Sequence, residues 1–518
     1  MRARKTARIT PALSLAMRLT AAAPAERDAL LTRIRLVVAT LAPATPAPRR
    51  HKEVLLRFDE LLAPADPSAV WLALSVLDGE LCTSDDVRRT VRAIRLDGVS
   101  AAFGTSPVQT AQTWLTGRRR WPEVRVLTGA TLVDLEHTAR AGLATGIQRV
   151  ARETTRRWVR DHDVTLVGWS PGLRHIRLLD ENERIKGLTG QESTDTHLAD
   201  RPPVVVVPWQ STYLLPELSP EQVRNERIGA MAQFARCRTG VIGFDCVPIS
   251  TAETTALGVS ESFAHNLAAV RHMDRMSTIS QAAATEYGGW ETMLGAIGRG
   301  GPGISVDLLP ADVPATTPVA LEAVRARLTI PGVPMVLCVG THEPRKNHVA
   351  LLHAAELLWR DGVRFNLVLV GGRSWNDERF RQALAEARAR NRPVETVTTM
   401  SDQELWAAYR LARCMVFPSL NEGFGLPVAE AHTCGTPVVT TGYGSMAEIA
   451  AGGGALLADP RDDRSIASAM RTVLLDDAVH ARLAAEALAR PVRTWDDYAD
   501  GVWQSLTSNA PSATATIS

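Results

Sequence analysis

Aromatic residues make up only 5% of this 518-residue sequence, and its charges nearly cancel, leaving a formal net charge of +2. Near-neutrality argues against a dedicated nucleic-acid binder that works by neutralising phosphates, although it does not exclude local patches. Nowhere do about eighteen apolar residues run together, so no helix is expected to span a membrane. The six cysteines, Cys82, Cys237, Cys246, Cys338, Cys414 and Cys434, include no CxxC pair and no histidine partners at zinc-ligand spacing. Neither a metal site nor a disulfide framework is therefore expected, and a reducing cytoplasm fits best. Cys338, inside the apolar run "MVLCVG", reads as a small buried hydrophobe. Internal repeats of solenoid period are also missing.

What is present is an ordinary globular composition, 45% hydrophobic and 22% charged, on a chain long enough for two large domains and an appendage. The first 25 residues run from basic to apolar to small, the order of a secretory leader. Pro11 and Arg18 interrupt the apolar part, and the segment reads as a surface helix. Residues 1–120 read as a mostly helical extension, with "AERDALLTRIRLVVATL" and "DPSAVWLALSVLDGELC" apolar every three to four positions on either side of the linker "APATPAPRR". Arg118 to Arg120 read as a solvated linker, the alternative being contact with phosphates or a membrane surface.

From "VRVLTGATLVDL" onward, short β-rich runs such as "PPVVVVPW", "TGVIGFDCVPI", "FNLVLVGG" and "CMVFPS" alternate with helical segments. That alternation specifies an α/β fold with parallel sheets covered on both faces. Proline and threonine collect around 308–330, as in an interdomain linker. The expected division is an α/β domain over 121–308, a second over 330–490, and a C-terminal helix with a disordered tail over 491–518.

In "MVLCVGTHEPRKNHVALLHAAELLWR" a strand ends at Gly340 and a helix starts near Asn347, with Arg345 and Lys346 between them. Such a loop can hold a diphosphate between two cations and the helix N-terminus, or it can be a solvated basic turn. Gly371-Gly372, after the next strand, either admits a ligand or makes a tight turn. The stretch "PSLNEGFGLPVAEAHTCGTPVV" places Glu422 on a loop and Glu430 in the helix that follows. Two carboxylates there can take vicinal hydroxyls, while Gly423 and Gly425 leave amides free for an anion, a combination suited to a sugar joined to a diphosphate.

These motifs, with "VGTHEPRKN", "SDQELWAAYRLARCMVFPS" and "SMAEIAAGGGALLADP", resemble the glycosyltransferase group 1 family, retaining sugar-nucleotide-dependent enzymes of GT-B fold. The resemblance implies two Rossmann-like domains facing a cleft. It implies that Glu430 holds the ribose hydroxyls, that Glu422 contacts the transferred hexose, and that Gly340, Gly423, Phe424, Gly425 and Leu426 line the donor site. Arg345 and Lys346 would neutralise the leaving diphosphate. The family more usually has arginine directly after the strand glycine, where this chain has Thr341, so Arg345 is the expected substitute.

"LVDLEHTARAGLATGIQRVARETTRRW" resembles the first glycine loop of a bacterial polysaccharide subgroup that includes mannosyltransferases, with Thr145-Gly146 opening a helix and Gly146 near the donor phosphates. "TGVIGFDCVPI" resembles a segment that usually reads His-Asp and implies contact near the reacting carbon. Here Phe244 replaces the histidine and Asp245 remains. The implied function is metal-independent, retaining transfer of a hexose, mannose by subgroup analogy, from a nucleoside diphosphate sugar to a glycan or lipid-linked acceptor. No cofactor beyond the donor substrate and no nucleic-acid partner are expected. The implied location is the cytoplasm, with peripheral contact at the inner membrane face left open. The alternatives are a GT-B synthase acting on a small soluble acceptor, and a non-enzymatic glycan-binding or scaffold subunit. Nothing in the sequence sets the oligomeric state.

Overall fold

A computed structural model describes Leu19 and residues 24–45, 50–104, 122–140, 146–191 and 204–508. Arg118 to Arg120, Thr145 and the tail after Ser508 lie outside the described residues. Two compact units emerge, one drawn from Met1–Val241 with His265–Arg275, the other from Ile242–Ala264 with Met276–Ser518.

The first unit opens with five helices, α1 (Pro24–Leu41), α2 (His51–Leu62), α3 (Pro67–Asp78), α4 (Ser84–Asp97) and α5 (Val99–Gly104). Helix α3 is apolar around its whole circumference and is buried from Ala69 to Leu77, which makes it the centre of this layer. Asp66 caps its start by accepting from the Ala69 amide, and left-handed Gly79 ends it. Buried Arg33 on α1 donates to the Leu77 carbonyl at 2.8 Å, pinning α1 to the carboxyl end of α3.

The same unit continues through β1 (Val124–Thr128), β2 (Thr131–Asp134), α6 (Glu136–Arg140), α7 (Gly146–Asp161), β3 (Thr165–Trp169), β4 (Ile176–Leu178), α8 (Glu181–Thr189), β5 (Val205–Trp209), β6 (Thr212–Leu215), α9 (Gln222–Phe234) and β7 (Arg238–Gly243). The strand order is β1-β5-β4-β3-β2-β6-β7. One strand departs from the expected parallel sheet: β4 is antiparallel to both β3 and β5. The connection after β3 is a tight turn, closed by the Ser170 amide on the His175 carbonyl, and is too short for a crossover.

The second unit contains α10 (Val247–Ser250), the start of α11 (Val259–Val270), most of β8 (Arg275–Thr278), then α12 (Gln281–Ala296), β9 (Gly303–Val306) and α13 (Pro318–Leu328). A βα series follows: β10 (Met335–Val339), α14 (His348–Arg360), β11 (Asn366–Val370), α15 (Glu378–Ala389), β12 (Val394–Val397), α16 (Asp402–Leu411), β13 (Cys414–Phe417), α17 (Leu426–Thr433), β14 (Val438–Thr441), α18 (Gly444–Ala450), β15 (Ala455–Ala458), α19 (Asp463–Leu475), α20 (Asp477–Leu488) and α21 (Trp495–Thr507). All the pairings among these strands are parallel, in the order β12-β11-β10-β13-β14-β15. Chain direction across the sheet reverses between β10 and β13, the position where open α/β sheets hold ligands. Helix α21 is seated by the Ser505 hydroxyl on Asp307 at 2.8 Å.

The core of this unit is continuous from Val336 and Leu369 on the strands to Leu358, Trp359 and Met470 on the helices. The reason for glycine at Gly371 is close backbone approach: a Cβ there would lie 1.9 Å from the Gly340 carbonyl oxygen. Gly371→Ala is expected to destabilise this unit by about 3 kcal/mol, the upper end of over-packing costs, read as a shift in the chemical-denaturation midpoint. No helix among the described residues is long and apolar enough to cross a membrane.

Candidate functional site

The loops leaving β10 and β13 are laced together at the switch point. After Gly340 the chain makes a 3-10 turn over Pro344–Lys346 and reaches α14 through left-handed Asn347. The Asn347 side chain donates to the Pro418 carbonyl at 3.2 Å and to the Pro460 carbonyl at 2.8 Å, and the Leu420 amide donates to the Arg345 carbonyl at 2.8 Å. Lys346 and Glu422, 76 residues apart, are thereby brought together with Arg345.

Glu422 is the centre of the cluster. One carboxylate oxygen meets the Arg345 guanidinium at 2.5 Å, while the other accepts from Lys346 Nζ at 2.7 Å and from the Ser419 hydroxyl at 2.5 Å. Burial alone would raise this carboxyl; the two cations override it and hold it at about 2. Arg345 also binds Glu343 at 2.5 Å and the Asn421 carbonyl at 2.8 Å, and the two glutamates outweigh burial to raise its pKa above the usual value. Lys346 Nζ sits 5.0 Å above the Phe417 ring centroid. The basic loop is thus a built cation pair and not a solvated turn, with the Lys346 side chain only 12% exposed. Glu343 and Ser419 were not singled out from sequence; the acid-proline-base order of "EPRK" was the available signal for the first.

The glycine loop is fixed by close contacts. A Cβ on Gly423 would lie 2.7 Å from Asp245 Oδ2, and one on Gly425, whose φ is 102°, would lie 2.2 Å from Met446 Cε. Ser280 Oγ donates to the Gly423 carbonyl at 2.6 Å and Ser445 Oγ to the Glu422 carbonyl at 2.7 Å. Phe424 is buried, and Leu426 begins α17. Behind the loop, Glu286 accepts from the Cys246 amide at 2.7 Å and from the Asn421 side chain at 3.1 Å.

Asp245 stands in this acidic surround. Burial, reinforced by Glu286 and Glu422 and opposed by Arg345, pushes its carboxyl up to about 6 from an ordinary 3.8. Because the folded value is raised, the protonated side chain stabilises the fold below about pH 4, and that contribution is lost as pH rises through about 6. Asp245→Asn, neutral at every pH, is expected to remove this decline, as denaturation midpoints of both proteins between pH 4 and pH 6 would show. Phe244, at the place where the resemblance expects histidine, is a buried side chain.

Glu430 is 5% exposed on α17 and accepts from the Tyr409 hydroxyl at 3.1 Å. Tyr409 carried no signal in the sequence, being one apolar-face residue of α16. Gly340 adjoins the Lys346 stem: a Cβ there would lie 3.4 Å from Lys346 Cδ. Gly146 opens α7 in the first unit.

Comparison with known proteins defines the class. Residues 322–490 match the family "Glycosyl transferases group 1", so the chain carries a group 1 glycosyltransferase domain. The structure of Anabaena Alr3699/HepE in complex with UDP and glucose superposes with a TM-score of 0.51 at 15% identity, covering 70% of this chain and 94% of that one. That likeness shows the GT-B fold, here preceded by a helical region. Among curated proteins, the chain is similar to the serotype-specific mannosyltransferase WbdA of Escherichia coli, 29% identical over 336 residues, or 62% of this chain and 38% of that protein. It is also similar to the O-antigen chain mannosyltransferase B of Escherichia coli, 37% identical over 163 residues, or 31% of this chain and 42% of the relative. The chain thus spans well under half the length of these relatives.

Proposed function

We propose that the protein is a retaining glycosyltransferase that moves a hexose, with mannose as the first choice, from a nucleoside diphosphate sugar to a glycan or lipid-linked acceptor. The observation that carries this reading is the convergence of Arg345 and Lys346 on Glu422 at the carboxyl ends of β10 and β13. Mannosyltransferase relatives support the sugar, and the group 1 domain supports a nucleotide-sugar donor.

On this reading Arg345 and Lys346 bind the diphosphate, Glu422 takes hexose hydroxyls and Glu430 takes the ribose. The bond between the anomeric carbon and the β-phosphate oxygen breaks, and the two cations stabilise the charge that collects on the departing oxygen. The acceptor hydroxyl attacks from the same face and passes its proton to that phosphate, so configuration is retained and no metal is required. Glu422, held near pKa 2, is a stabilising carboxylate. The Gly423–Gly425 backbone, with Phe424, Leu426 and Gly340, lines the sugar and phosphate, and Asp245 backs the loop. Transfer takes place in the cytoplasm, at the inner membrane face where the acceptor is lipid-linked.

The test is transfer from an α-linked nucleoside diphosphate hexose, with the product's anomeric configuration read by proton NMR. An α-linked product is expected; a β-linked product overturns the retaining step.

A further inference from the structure

A cavity of about 430 Å³ opens in the second unit beside the loop that leaves β10. Its walls are the first turns of α14, α15 and α19, the loop residues His342 to Pro344, Leu420 and Pro460. None of Lys346, Glu422, Gly423, Gly425 and Glu430 borders it.

Two of its cations are unpaired. Arg379 and Arg461 line it, and neither guanidinium forms an ion pair among the described residues; Arg461 lies over the Tyr443 ring at 5.7 Å, and its amide donates to Asp459. Of the acids on the wall, Glu343 is paired with Arg345 at 2.5 Å, and Asp463 Oδ2 lies 3.3 Å from His353 Nδ1. The N-terminus of α14 adds positive potential to the two guanidinium groups, because no side chain caps its first amides, whereas α15 and α19 start on Asp377 and Asp462.

The inner wall carries unsatisfied polar groups. His348 is 2% exposed and His342 is 4% exposed, stacked edge-on at 5.1 Å with Phe380 against both. Among the described residues, neither ring nitrogen of His348 has a hydrogen-bond partner, nor does Nε2 of His342. Burial keeps His348 neutral, so its ring offers one donor and one acceptor, either of which a hydroxyl group can partner. Buried polar groups without partners in a native fold call for an explanation, and a polar ligand beside them supplies one.

We propose that this cavity binds a small phosphomonoester bearing hydroxyl groups, its phosphate on Arg379, Arg461 and the helix amides, its hydroxyls toward His342 and His348. The site is separate from the donor site and stands without the transferase reading. Calorimetric titration of the full chain with inorganic phosphate and, separately, with a hexose 6-phosphate tests it. Both should bind saturably, the hexose phosphate about tenfold more tightly; in the double variant Arg379→Ala, Arg461→Ala each should weaken by about tenfold or more. His348→Leu should weaken only the hexose phosphate, with His348→Asn as the smaller change should the first not fold. Equal affinity for both probes would overturn the hydroxyl contacts to His342 and His348. Absence of saturable binding by the wild type, unchanged binding in the arginine variant, or displacement by a nucleoside diphosphate would overturn the proposal. A melting temperature and far-ultraviolet circular dichroism spectrum unchanged from the wild type show that the arginine variant is folded.

Discussion

Lys346→Ala is expected to lower kcat/KM for sugar transfer by about two to three orders of magnitude, the cost of removing one well-placed group that stabilises developing charge. Its ammonium lies 2.7 Å from Glu422 and 5.0 Å above the Phe417 ring, so its position is set before any ligand arrives. The fold should tolerate the change, because Glu422 keeps Arg345 at 2.5 Å and the Ser419 hydroxyl at 2.5 Å. Most of the loss should fall on kcat if the lysine acts on the leaving diphosphate, and initial-rate kinetics separates this from a binding defect. A loss of less than about tenfold would remove Lys346 from the transition state.

Arg224→Met should cost the first unit about 3–5 kcal/mol, the range found when one partner of a buried ion pair is removed. Arg224 is fully buried and holds two carboxylates, Asp134 at 2.9 Å and Glu217 at 3.1 Å, themselves 0% and 1% exposed. Asp134 also accepts from Trp169 Nε1 at 2.6 Å and from the Tyr213 hydroxyl, while Glu217 accepts the His137 and Thr138 amides at 2.8 and 2.9 Å. The cluster therefore fixes the end of β2 and the first turn of α6. The melting temperature of this unit should fall by about 10 °C, and adding Asp134→Asn and Glu217→Gln should recover part of the loss by removing the stranded charges. An unchanged melting temperature would mean that the cluster contributes little to this fold.

The difference between these two sites shows what a sequence makes legible. Glu422, Gly423, Gly425 and Glu430 fall within nine consecutive residues, and Arg345 and Lys346 stand directly between a strand and a helix. Local spacing was enough to nominate all six. What the spacing left open was whether the cations meet the acid, because that contact spans 76 residues and depends on the parallel register of β10 with β13. Asp134, Glu217 and Arg224 gave no signal, since Asp134 and Glu217 lie 83 positions apart and an isolated acid at a strand end looks like any surface residue. Gly371 was read as a ligand approach or a tight turn; its actual neighbour, the Gly340 carbonyl, belongs to the adjacent strand's loop. The antiparallel β4 was hidden because a three-residue strand has too few positions to show its direction. Burial of Asp245 against Gly423 likewise required the fold, as the two are far apart in the chain.

The central claim is a nucleoside diphosphate sugar site built on Arg345, Lys346, Glu422 and Glu430. Its most direct test is a thermal-shift panel of nucleoside diphosphates and their sugars against the wild type, Lys346→Ala and Glu430→Ala. A ligand at a hundred times its dissociation constant stabilises a fold by about 2.7 kcal/mol. The account predicts stabilisation by one nucleotide, reduced in both variants. A well-folded wild type whose melting temperature no nucleotide or nucleotide sugar moves would contradict it.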